Sequence, residues 1–194
     1  NYLWHYYVTG RAMADVMMQY ESNGLKLAGL VGSTGSAGTI ASGDYLKERW
    51  PGSKIAVSEA LQCPTLLMNG FGSHRIEGIG DKHVPWIHNV RNTDMVIAVD
   101  DEAAMSVSRL FNEPEGIDYL DKQGVDSDLL EKLPLAGISG VGNIIAAIKF
   151  AKWYELGADD VVMTVLTDSM ELYNSRLMEL NETRGGFTEL DANL

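Results

Sequence analysis

A chain of 194 residues, 45% hydrophobic and 22% charged, has the balance of one globular domain or a large part of one. A formal net charge of −12 argues against an electrostatic nucleic-acid binder, and apolar runs such as MVIAV and VVMTVL are far too short to span a bilayer. The single cysteine, Cys63, excludes an internal disulfide framework and suits a reducing compartment, so a cytoplasmic location is expected.

No basic segment followed by an apolar run opens the chain, so no signal peptide is read. The aromatic opening at Asn1 and the ending GGFTELDANL lead us to expect further residues beyond both ends. Thr9 is placed to cap a helix over 10–21, with Ala14, Met17 and Met18 at helical spacing, and Asn23-Gly24 ends it. A buried strand is expected over 25–31, then the loop Gly32–Gly38, a helix over 39–50 stopped by Pro51-Gly52, and a strand over 54–59. Residues 61–85 read as a loop containing Gly70, Gly72, Gly78 and Gly80, long enough to suggest function rather than slack. A strand over 95–99 leads into a helix to about 111, opened by Asp100-Asp101-Glu102, whose charges suit the positive helix end. Residues 112–135 read as irregular with one short helix over 127–132. A helix over 139–155, a strand over 160–167 and a last helix over 169–180 follow. Cys63, followed by Pro64, reads as a small buried apolar residue.

Short apolar strands alternating with helices predict an α/β fold: a three-layer arrangement with a parallel sheet and helices on both faces. Ligands in such sheets lie beyond the carboxyl ends of the strands, which singles out Gly32–Thr39, the segment from Glu59, Asp100 and Thr167-Asp168-Ser169. Within 32–39 stand three glycines and four hydroxyl residues between a strand and a helix. Glycines let backbone amides turn inward and the helix end adds positive charge, so the loop predicts phosphate binding. A nucleotide triphosphatase is disfavoured, because Gly38 stands where the phosphate-reaching lysine belongs. The spacing Gly32, Gly35, Gly38 departs from the dinucleotide fingerprint, but Glu59 at the end of the next strand keeps an NAD-binding oxidoreductase reading open.

Residues 27–50 resemble the phosphate loop and following helix of fold-type-II pyridoxal-phosphate enzymes, of the cysteine synthase and cystathionine β-synthase family. The family loop G-T-G-G-T is met here by Gly35, Ser36, Ala37, Gly38 and Thr39. HYYVTG (5–10), HRIEGIG (74–80), PEGI (114–117), GISGVGN (137–143) and VLTDS (165–169) with Tyr173 resemble further family motifs in the same order. The order and spacing of six such matches carry the resemblance; the NAD reading accounts only for the loop.

The resemblance implies the large domain of the tryptophan synthase β-like fold, with residues 1–194 as the C-terminal part of the cofactor-binding domain. It implies pyridoxal 5′-phosphate bound by Gly35, Ser36, Ala37, Gly38 and Thr39, with Ser139 at the pyridine nitrogen; a simple helix cap is the other reading of Ser139. Ala37 replaces a family glycine, and its Cβ requires a negative φ to be tolerated. Gly78 and Gly80 are expected near the cleft. Asp168 and Ser169 are expected either near the pyridine end or as a cap of the last helix. The lysine that forms the Schiff base is expected upstream of residue 1, and no lysine here falls in a family lysine motif. His74 is expected to be structural. Asp81, His83 and His88 match no zinc spacing, and no metal is expected. The acidic stretch Asp118–Pro134 departs from the family pattern and reads as a solvated insertion or a subfamily device. The implied activity is β-replacement or β-elimination on a serine- or cysteine-type amino acid by a homodimer, without nucleic-acid or membrane partners. A non-catalytic relative of the family is the remaining alternative.

Overall fold

A computed structural model describes residues 1–194. The sheet has four strands: β1 (Lys26–Ser33), β2 (Lys54–Ala60), β3 (Met95–Val99) and β4 (Asp160–Met163). All pair in parallel, in the order β3-β2-β1-β4. The helices are α1 (Tyr2–Trp4), α2 (Gly10–Glu21), α3 (Ala41–Arg49), α4 (Thr65–Met68) and α5 (Asp101–Leu110). They continue with α6 (Pro114–Lys122), α7 (Ser127–Leu130), α8 (Ile138–Trp153), α9 (Asn174–Arg184) and α10 (Glu189–Asn193).

Alternation along the strands sends successive side chains to opposite faces. On β1, Leu30 packs with Ala14, Met17 and Leu46 beneath α2 and α3. Its neighbour Val31 packs with Ala146 and Phe150 of α8 and Met105 of α5. Both faces are therefore covered, as the apolar strands predict, and no helix is long and apolar enough to cross a membrane. Asp100 caps α5 by accepting from the Glu102 amide at 2.7 Å. Buried Arg109 bonds Glu113 at 2.6 Å, and Asn181 and the Gly185 carbonyl at 2.8 Å each, which ties the C-terminal segment to α5.

Four expectations need correction. Thr9 caps nothing: the chain is already helical from Tyr2, with a π-helical stretch over His5–Thr9, and the Thr9 hydroxyl meets His5 Nδ1 at 3.1 Å. This wide turn stands directly before Gly10, where a Cβ would lie 2.7 Å from Tyr45 Cβ, so it delivers the bare backbone that lets α2 approach α3. The stretch 112–135 is mostly helical, with Pro114 at the first turn of α6 and Gly116 pressed against the Leu110 backbone. Many of its acidic side chains, such as Asp118, Asp121 and Asp126, face solvent. Strand β4 stops at Met163 rather than at 167, because the Val165 carbonyl accepts from Asn143 instead of a neighbouring strand. The last helix is split into a 3-10 turn, Met170–Tyr173, and α9.

Candidate functional site

The loop after β1 is pinned at its start. The Thr34 amide donates to the Ser58 carbonyl at 3.0 Å, and the Thr34 carbonyl accepts from the Gly80 amide at 2.8 Å. Beyond it, the six amides from Gly35 to Ile40 make no hydrogen bond within the chain. Consecutive amides without a partner, beside the first turn of α3, are the kind of backbone feature that suits an anion.

Two close approaches shape this loop. A Cβ on Gly38 would stand 2.6 Å from Asn1 Nδ2 and 2.7 Å from His5 Cδ2, so the first helical segment packs on glycine only. Gly78 and Gly80 hold φ of +84° and +87°, and a Cβ on Gly80 would lie 2.6 Å from His74 Nε2. His74 packs against this glycine, and Glu77 in the same segment is held by Arg176 of α9 at 2.6 Å.

Ala37 adopts φ +59°, the left-handed region. The negative φ set as the condition for tolerating its Cβ is therefore not met, and the chain accepts the Cβ at positive φ instead. The turn demands this conformation for the residue between Ser36 and Gly38, and Ala37 adopts it while 3% exposed.

Gly35, Ser36, Ala37, Gly38 and Thr39 share one cleft with Gly78 and Ser139. No charged side chain lines it, so attraction for an anion there comes from amides, hydroxyls and the α3 terminus. Ser139 is not the cap of α8: Gly137 holds that position, and the Ser139 hydroxyl lies 3.0 Å from that of Thr167. Thr167 lines the cleft as well.

Gly80, Asp168 and Ser169 do not line it. Asp168 Oδ2 accepts from the Tyr173 hydroxyl at 2.6 Å, a bond that with burial pushes Tyr173 up to about 12. The Asp168 carbonyl accepts from the Gly137 amide at 2.9 Å. Ser169 caps the 3-10 turn, accepting from Glu171, and donates to the Pro134 carbonyl at 3.3 Å.

Glu59 is 1% exposed, and its two carboxylate oxygens accept from the Leu66 and Leu67 amides at 2.9 Å each. It caps α4 and does not line the cleft, so the NAD reading loses the residue that supported it. His83 stands 3.9 Å from Asp81, whereas His88 is bonded to Thr93 at 2.9 Å. Burial lowers the His88 pKa, against an opposing pull from Asp44.

Sequence reasoning assigned no role to Ser33 and Asn143, which also line the cleft. The signal available was the spacing of Ser139 and Asn143, four residues apart on one helix face.

No family model matches the chain. A cysteine synthase of Staphylococcus aureus is 32% identical over 162 residues, which cover 83% of this chain and 46% of that protein. The solved structure of a hydrogen sulfide-producing enzyme from Fusobacterium nucleatum is similar with a TM-score of 0.68 at 28% identity, covering 97% of this chain and 49% of that one. A variant of that enzyme in complex with an α-aminoacrylate intermediate gives a TM-score of 0.67 at 30% identity, covering 88% and 45%.

Over the residues it spans, the chain belongs to the fold-type-II cysteine synthase family. It spans about half the length of the curated relatives it matches. The parallel sheet flanked by helices is the corresponding part of the cysteine synthase fold. Ala37, at the position where the loop it resembles has glycine, carries its methyl group at a left-handed φ of +59°.

Proposed function

We propose that the parent protein is a pyridoxal-phosphate enzyme that performs β-replacement or β-elimination on a serine- or cysteine-type amino acid. One observation carries this reading: five free amides, Gly35 to Thr39, and the Ser139 hydroxyl belong to one cleft without a charged side chain. The cleft suits a ligand with a phosphate at one end and a neutral hydrogen-bonding ring atom at the other.

In this reading, the amides of Gly35–Thr39 and the hydroxyls of Ser36 and Thr39 hold the phosphate. Ser139 offers a hydroxyl to the pyridine nitrogen. When bound, pyridoxal phosphate supplies the electron sink for charge developing at the substrate Cα. Ser139 brings no negative charge to hold a proton on the ring nitrogen, and no carboxylate lines the cleft to do so. A weaker sink suits loss of a group from Cβ, where charge at Cα is short-lived, better than transamination.

The lysine that serves as base and acid is assigned to sequence upstream of residue 1; no lysine lines the cleft. The parent is proposed to work as a homodimer, as the family resemblance implies, and in the cytoplasm, which the single cysteine suits.

The test is product analysis on the whole protein with pyridoxal phosphate. Sulfide released from cysteine, or cysteine formed from O-acetylserine and sulfide, is the expected result. Neither product, with cofactor bound, would favour a non-catalytic relative.

A further inference from the structure

Ser33, Ser58 and Asn143 form a buried polar cluster at the cleft that the roles above leave unused. Asn143 is 4% exposed and Ser58 1%. Ser33 and Ser58 are register partners on β1 and β2, with hydroxyls 3.1 Å apart. Both donate to Asn143 Oδ1, at 2.5 and 3.1 Å. Asn143 Nδ2 donates to the Val165 carbonyl at 2.9 Å.

One amide on α8 therefore holds three other segments. The first is the end of β1, directly before the loop of free amides. The second is β2, whose Ser58 carbonyl pins Thr34. The third is the stretch after β4 that carries Thr167, the partner of Ser139. Asn143 itself lies one turn after Ser139 on α8.

An apolar side chain is the ordinary occupant of such a position, as Val141, Ala146 and Phe150 of the same helix illustrate. A buried amide costs stability unless its bonds are made, and when made they fix geometry more tightly than apolar packing does. This amide makes three bonds: to β1 and to the stretch after β4, both of which line the cleft, and to β2, which pins the start of the loop at Thr34.

Resting on the cofactor reading above, we infer that Asn143 is a positioning residue. It sets the spacing between the amides of Gly35–Thr39 and the Ser139 hydroxyl, so that one rigid ligand meets both ends at once.

The test compares Asn143→Leu, which is close in size and removes all three bonds, with the wild-type whole protein. Two probes are titrated separately: pyridoxal phosphate, which meets both ends, and inorganic phosphate, which meets the loop alone. Asn143→Leu is expected to weaken pyridoxal phosphate by about 10-fold or more and to leave phosphate affinity unchanged. Equal weakening of both probes would mean that Asn143 only folds the loop, and would overturn the inference. Ser33→Ala removes one bond of the cluster and guards against a misfolded leucine variant; a smaller loss of the same pattern is expected. Unchanged pyridoxal phosphate affinity in Ser33→Ala and in any folded Asn143→Leu overturns the inference and spares the functional reading. Wild-type protein that binds no pyridoxal phosphate overturns both.

Discussion

The hydroxyls of Ser139 and Thr167 lie 3.0 Å apart, so the first turn of α8 and the segment after β4 orient each other at the cleft. Thr167→Val keeps the shape of the side chain and removes this bond. Pyridoxal phosphate affinity is expected to fall about 5-fold, the equivalent of about 1 kcal/mol, with unfolding stability changed by less than about that amount because Thr167 is exposed. Cofactor titration and denaturant unfolding on the same samples check both halves.

Ala37 sits at φ +59°, a region that costs a residue with a Cβ about 1–2 kcal/mol. Ala37→Gly removes that strain but frees the unfolded chain by about 0.4–1 kcal/mol, so stability should be unchanged or raised by up to about 1.6 kcal/mol. Ala37→Val places a β-branched side chain at positive φ and should destabilise by about 2 kcal/mol or more. Denaturant midpoints in the opposite order would contradict the left-handed conformation.

Glu59 caps α4 through both carboxylate oxygens. Glu59→Ala should lower stability by at least about 2 kcal/mol, since bonds to a charged acceptor are the stronger kind. It should leave pyridoxal phosphate binding in place. Calorimetry with NAD provides the counter-test: wild-type binding that disappears in Glu59→Ala would restore the oxidoreductase reading.

Asp94 anchors β3 to α3 and β2. Burial pushes its carboxyl up, but Lys47 at 2.6 Å, the Ile55 amide at 2.8 Å and the charge of Lys54 more than offset this and hold it below its ordinary 3.8. A carboxyl lowered on folding stabilises the fold fully above that ordinary value and loses the contribution as pH falls through the lower folded value. Asp94→Asn should therefore be less stable than wild type at neutral pH, and the gap should close in acid below about pH 3.8. Unfolding curves across that range measure the gap.

The parallel sheet and its Gly-rich loop were legible in the sequence because both are local. Apolar runs such as KIAVSE mark strands, and clustered glycines and hydroxyls before a helix mark an anion loop. Helix α6 was hidden by its acidic surface, although Pro114 at its first turn is a start signal. The left-handed Ala37 was out of reach, since φ there is set by the packing of the loop, not by the residue's own preference. The Asn143 cluster depends on register: Ser33 and Asn143 are 110 residues apart in sequence and meet only when β1, β2 and α8 are assembled. The failed expectation that Thr9 caps a helix has the same origin, because Gly10 makes its contact with Tyr45, on a helix that packs across it.

Titration of the whole protein with pyridoxal phosphate, followed by visible absorbance, tests most directly whether Gly35–Thr39 and Ser139 form one cofactor site. Wild-type protein should give a saturable visible band. Thr39→Val should weaken binding several-fold without moving the band, whereas Ser139→Ala should alter the band itself by changing the partner of the ring. No band at saturation, or a band indifferent to both substitutions, would contradict a cofactor held between the loop and α8.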